Sequence, residues 1–223
     1  MPSLEIACFT LESAEIAQKS GADRIELCVE MSIGGTTPSL EMIQNAKAKI
    51  NIPIYVMIRP RGGNFVYNDT EFEWMQSKIK VVKEMGINGF VFGILDAQNK
   101  INKIQNETLV SLAKPLPCTF HRAFDEVSNP FEALEELIVC GFQTILTSGN
   151  AKNVTEGVTQ LKRLVQKANN RIIIMPGGGL RSSNVKEIYT QTKAIFYHSS
   201  AITDKTEIAN PSEIQRLQSI LNE

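Results

Sequence analysis

Two histidines, four cysteines and eight arginines are the residues of this chain best equipped for chemistry, and their placement is uneven. Arg59, Arg61, Arg122 and Arg181 stand at or just after the ends of short apolar runs, as do His121 and His198. Half of the arginines thus gather, with both histidines, at one class of position. Glu5 and Glu26 lie inside two such runs, and a carboxylate within an apolar strand is costly to bury unless it is paired. Residues two apart in a strand share a face, so Glu5 goes with Ala7, Glu26 with Arg24 and Cys28, Met57 with Arg59, and Thr119 with His121. These groups are expected to point away from any layer of covering helices. Glu26 and Arg59 are then expected to pair, which leaves Glu5 and His121 for general acid or base work. A carboxylate beside His121, Glu26 or Glu5, would hold its tautomer.

A second constellation is built for anions. Pro176 to Asn184 reads PGGGLRSSN, and His198-Ser199-Ser200-Ala201 follows the last apolar run. Consecutive glycines let backbone N–H groups approach a phosphate closely. The amides of Gly177, Gly178 and Gly179, with Ser199 and Ser200, are expected to bind an anion, helped by Arg61 and Arg122. A short helix starting near Ser200 would direct its positive end to the same point. The expected partner is a small phosphorylated or otherwise anionic molecule.

The elements that must position these residues follow from periodicity. Eight short apolar runs, Leu4–Cys8, Arg24–Cys28, Ile54–Ile58, Gly89–Gly93, Cys118–His121, Thr144–Thr147, Ile172–Met175 and Ile195–His198, alternate with segments of helical period. Helix starts are expected at Thr10, Ser39, Thr70 and Asn129-Pro130, and stops at Gly21, Gly86 and Gly141. Strict β/α alternation makes a parallel sheet, and eight units within 223 residues favour a single closed (β/α)₈ TIM barrel over an open doubly wound sheet. In such barrels the active site sits at the C-terminal ends of the strands, with the phosphate loops after strands 7 and 8. Arg59–Asp69 is the one connection long enough to form a lid.

Composition excludes several classes. Basic and acidic residues number 23 and 24, a net charge of −1, which gives no reason to expect nucleic acid or an anionic membrane as partner. The opening MPSLEIACFT lacks the basic start and apolar run of a secretory signal, and the cysteines are irregularly spaced. Reduced thiols and a cytoplasmic location are therefore expected. There is no lysine at a strand end for a Schiff base, no HExxH and no CxxC. Glu5, Glu26, His121 and His198 could hold a divalent ion, although no spacing demands it.

Several blocks are long enough to carry a resemblance: Gly21-Ala-Asp-Arg-Ile-Glu-Leu-Cys28, Gly34-Gly-Thr-Thr-Pro-Ser39, Met57-Ile-Arg-Pro-Arg-Gly-Gly63, Thr119-Phe-His-Arg-Ala-Phe-Asp125, Ile145-Leu-Thr-Ser-Gly149 and Met175-Pro-Gly-Gly-Gly179. Together they resemble the CutC copper-homeostasis family. The resemblance implies a cytoplasmic TIM barrel, a homo-oligomer and a link to copper, with Cu(I) held by a cysteine at the end of the first strand and another at the end of the second. Cys28 matches the second position, but the first holds Ala7. Met57 is the nearest replacement ligand. Two functional expectations stand side by side: an enzyme for a small anionic metabolite, by lyase, isomerase or hydrolase chemistry, and a Cu(I)-binding protein centred on Cys28.

Overall fold

Each apolar run forms a strand, and the alternation of its side chains decides which polar groups enter the barrel. The computed structural model describes all 223 residues. The strands are β1 (Ser3–Cys8), β2 (Arg24–Leu27), β3 (Ile54–Met57), β4 (Gly89–Phe92), β5 (Cys118–Phe120), β6 (Thr144–Thr147), β7 (Ile173–Pro176) and β8 (Phe196–Ser199). Each is followed by a helix: α1 (Leu11–Lys19), α2 (Leu40–Lys49), α3 (Asp69–Lys83), α4 (Lys103–Ala113), α5 (Pro130–Cys140), α6 (Val158–Ala168), α7 (Val185–Thr192) and α8 (Pro211–Leu221). All strand pairings are parallel, in the order β7-β6-β5-β4-β3-β2-β1-β8, and β7 also packs beside β8. The fold is the expected (β/α)₈ barrel. No helix is long and apolar enough to cross a membrane.

The two faces of each strand behave as their chemistry requires. Leu4, Ile6 and Cys8 of β1, Ile25 and Leu27 of β2, Ile54 and Val56 of β3, and Phe90 and Phe92 of β4 join the 54-residue apolar cluster between barrel and helices. Cys28, Tyr55, Met57 and Val91 form a separate small cluster inside the barrel, with Phe9 against it. Register then sets which inward polar groups meet. Glu5 of β1 is level with Arg24 of β2 on one side and His198 of β8 on the other.

Helix starts follow the capping residues. Thr10, Ser39 and Asn129 each accept a hydrogen bond from a backbone amide in the first turn of α1, α2 and α5, with Pro130 at the start of α5. For α3 the sequence expectation is two residues late. Asn68, not Thr70, is the cap, because Asn68 and Glu71 satisfy each other's backbone amides in a capping box. The short helix expected near Ser200 is absent: residues 200 to 210 are non-helical, and α8 begins at Pro211 under an Asn210 cap. Asp204 accepts from the amide and hydroxyl of Thr206 at 2.8 and 2.6 Å, a local turn that competes with helix.

The Arg59–Asp69 connection is tied down along its length. Arg59 donates to the Gly63 carbonyl at 2.9 Å, Arg61 to Val66 at 2.9 Å, and the Leu95 amide to the Phe65 carbonyl at 2.9 Å. These bonds fix Phe65 over the mouth of the barrel.

Candidate functional site

A cavity of about 630 Å³ opens at the C-terminal ends of the strands, within the size range of small-molecule sites. Its floor is a row of ionisable groups. Glu5, fully buried, accepts a hydrogen bond from Arg24 Nε and lies 2.8 Å from His198 Nδ1. The Arg24 guanidinium is stacked between the rings of Tyr55 and Phe196, at 3.9 and 4.2 Å from their centroids. Glu26 Oε2 stands 3.5 Å from the same His198 nitrogen. Burial alone would raise the Glu5 pKa, but the Arg24 charge and the His198 hydrogen bond override it and hold Glu5 below the usual carboxylate range. Burial would likewise lower His198, yet its bond to Glu5 and the charges of Glu26 and Glu5 bring it above its ordinary value. For Glu26 burial outweighs the opposing charges of His198 and Arg24, with the Glu5 charge adding to it, and pushes it up to about 7. Glu26 and His198 line the cavity, whereas Glu5 lies beneath it.

This floor corrects two expectations. Arg59 does not pair with Glu26; it donates through Nη1 to the carbonyls of Ile33 and Gly35, at 2.8 and 2.9 Å, and through Nη2 to Gly63. Glu5 and Glu26 do not hold His121 either, because their row lies on β8, β1 and β2 while His121 follows β5. His121 Nδ1 accepts the Ala123 amide at 3.3 Å, capping a short 3-10 turn at Arg122–Glu126. Its ring packs 4.8 Å from that of Phe65. Burial, with the Arg59 charge adding to it, pushes His121 down to about 3. The imidazole is therefore neutral at physiological pH, and the histidine that meets the carboxylates is His198.

Opposite the β3 side, the loops after β7 and β8 meet. No protein acceptor meets the amides of Gly178 and Gly179, while that of Gly177 is used in a 3.0 Å bond to the Thr147 carbonyl. Of the three glycines expected to bind an anion, two thus present free N–H groups at the cavity wall. Gly178 has φ +101°, and a Cβ there would stand 2.9 Å from the Arg122 guanidinium carbon, so only glycine fits. Arg122 is held by Asp125 at 2.8 Å and reaches Ser148 Oγ at 3.2 Å. Ser199 and Ser200 border the same wall. Arg181 bridges the two loops, donating to the Leu180 and Ile202 carbonyls and to Ser199 Oγ, at 2.7, 3.0 and 3.2 Å. Arg61, by contrast, is turned out of the mouth: it pairs with Glu71 at 2.5 Å and secures the start of α3.

Two contributors are absent from the sequence expectation as site residues. Alternation gives Arg24 only a face, whereas in the structure it compensates Glu5. Asp125 organises the β5 and β6 loops, accepting from Thr147 Oγ1 at 2.5 Å and from the amides of Ser148 and Asn150 at 2.9 and 3.2 Å. Its signal was its place in the Thr119–Asp125 block, four residues beyond His121.

The same cavity tests copper and divalent ions. Cys28 and Met57 do border one stretch of wall: a side chain at Gly35 would meet Cys28 Sγ and the Met57 methyl at 3.6 and 3.7 Å. Cys8, however, faces the helix layer with Sγ toward the Ile6 carbonyl, and the inward neighbour is Ala7. Burial, followed by the Glu26 charge, drives the Cys28 thiol well above its ordinary pKa. One protonated thiol and one thioether do not make the thiolate pair that Cu(I) favours. In competition titrations the protein is expected to bind Cu(I) weakly, and Ala7→Cys to tighten binding roughly tenfold or more. Tight equimolar binding by the unaltered protein, abolished in Cys28→Ser, would overturn this. Ligand atoms of Glu5, Glu26 and His198 gather within 4.8 Å of one another, but both Glu5 oxygens are engaged and the adjacent Arg24 cation opposes a divalent ion.

Comparison with known proteins agrees with the barrel and with the sequence blocks. The CutC family profile matches residues 3–203. A copper homeostasis protein cutC homolog from Homo sapiens is 46% identical over 198 residues, covering 89% of this chain and 72% of that protein. A CutC family protein from Photorhabdus laumondii is 42% identical over 201 residues, covering 90% and 80%. The crystal structure of a copper homeostasis protein CutC from Streptococcus agalactiae superposes with TM-score 0.85 at 36% identity, covering 90% of this chain and 99% of the other. Phosphoribosylanthranilate isomerase from Thermotoga maritima, at TM-score 0.68 and 15% identity over 100% and 99% of the two chains, is alike in fold alone. On the profile, the identities and the shared barrel, the chain belongs to the CutC family.

Proposed function

We propose that this CutC-family barrel is an enzyme acting on a small phosphorylated metabolite by proton-transfer chemistry of lyase, isomerase or hydrolase type. The observation that carries the reading is the pairing of Glu26 with His198 on the floor of a cavity whose wall offers free amides and arginines. In this reading Glu26, poised near neutrality, gives and takes the substrate proton. His198, its Nδ1 engaged by Glu5, presents Nε2 to the reacting atoms. The amides of Gly178 and Gly179, with Arg122 and Arg181, hold the phosphate.

The names of the relatives favour a copper reading, but the donor set around Cys28 supports it less than the cavity supports an anion. Calorimetric titration with inorganic phosphate is the direct test of the anion site. Saturable binding is expected, weakened about 10- to 100-fold in Arg181→Gln, which removes a charge-assisted hydrogen bond. Failure of the unaltered protein to bind phosphate would refute the assignment.

A further inference from the structure

Across the cavity from the phosphate wall lies a charge that the mechanism above does not use. Arg59 is 4% exposed, and none of the ion pairs in the structure includes it. Its five N–H donors meet only the carbonyls of Ile33, Gly35 and Gly63, and Nε is buried without a partner. A buried cation bonded only to neutral groups lacks the counter-charge that burial normally demands.

His121 is in the same condition. It is 3% exposed, its Nδ1 already accepts the Ala123 amide, and the proton of the neutral ring must therefore sit on Nε2. That N–H is buried and unpartnered as well. The Phe65 ring touches both residues, with its centroid 4.8 Å from the His121 ring and 4.8 Å from the Arg59 guanidinium carbon. Arg59, Phe65 and His121 all line the cavity. Phe65 is only partly buried, and its ring packs against both donors at the cavity wall.

We infer that Arg59 and His121 form a second anion-recognising pole, which takes a carboxylate of the substrate while the β7 and β8 loops hold its phosphate. In a closed eight-stranded barrel β3 and β7 are diametrically opposed, so Arg59 faces the β7 loop across the mouth, with His121 at the end of β5 between them and the Glu26–His198 pair on the β2 and β8 side. The substrate class is then a short phosphorylated carboxylic acid, stretched across the mouth with its reactive centre above the floor. This rests on the phosphate reading of the β7–β8 side.

Probes of graded length test it. Binding of inorganic phosphate, phosphonoacetate, phosphonopropionate and phosphonobutyrate would be measured by calorimetry, with alkylphosphonates of matching length and simple carboxylates as controls. One phosphonocarboxylate is expected to bind about tenfold or more tightly than its alkyl control, the scale of one charge-assisted contact. Arg59→Gln should abolish that gain. Because Arg59 also tethers the β2–α2 and β3–α3 loops, His121→Phe is the second variant: it keeps the ring packing, removes the Nε2 donor, and should shrink the gain while phosphate binding is unchanged. If phosphate binds but no spacer length gives a gain, or if the gain survives in both variants, the second pole is wrong. If phosphate fails to bind while a carboxylate binds in an Arg59- and His121-dependent way, the phosphate reading falls and the second pole stands.

Discussion

Glu26→Gln is expected to cut turnover by about 10²- to 10⁴-fold, the usual worth of a general acid or base, while the barrel stays folded and gains stability at alkaline pH. The amide matches the carboxyl in size but cannot carry a proton to or from the substrate. The stability half of the result follows from linkage. Burial raises the folded-state pKa of Glu26 from 4.5 to about 7. Between those values the folded protein holds a proton that the unfolded chain has released, so the stability of the parent falls as pH rises across that window and stays lower above it. His198, also raised, loses its contribution in the same direction as pH rises through its folded value. The Gln variant lacks the Glu26 part of this decline. Denaturant unfolding should therefore show little difference between variant and parent near pH 5, and an advantage for the variant near pH 8. A variant with full turnover would make Glu26 a structural residue; parallel stability curves would mean that its pKa is not displaced.

How much of the fold and site is legible in the sequence depends on the range of the interaction. Eight strands, their order and their inward faces follow from patterns within ten or so residues, and each was readable: Ala7 inward and Cys8 outward is alternation alone. Which inward groups touch is set by register between strands. Glu5 meets Arg24 through the neighbouring strands β1 and β2, but the His198–Glu5 contact that completes the row depends on β8 closing against β1, a pairing of residues 193 positions apart that no local pattern encodes. Assigning Glu26 to Arg59 from neighbouring strands missed it for that reason. Alternation puts His121 on the correct strand end, but its partner turns on a rotamer, since its Nδ1 faces its own backbone and not a carboxylate. Arg61 went astray on a longer motif: Glu71 belongs to the α3 capping box and draws the guanidinium outward.

The floor itself is open to a sharper test, because its stability rests on one buried cation. Arg24→Met is expected to cost about 3–5 kcal/mol, the price of leaving a buried charge without its partner. Methionine replaces part of the contact with Tyr55 and Phe196, so the loss should come chiefly from Glu5. In the parent, Arg24 and His198 hold Glu5 below 4.5, a contribution present above that value and lost as pH falls through the lower folded one. Without Arg24, burial, already the largest influence on Glu5, is opposed by His198 alone, and the pKa is expected to rise above 4.5. The folded variant then retains a proton that the unfolded chain gives away, and its deficit relative to the parent should widen from pH 4 to pH 8. Adding Glu5→Gln removes the charge that needs compensation, so the double variant should recover part of the loss at pH 8 and little at pH 4. A deficit that is the same at every pH, and is not relieved by Glu5→Gln, would mean that Arg24 acts through packing between the two rings and not as the counter-charge of the floor.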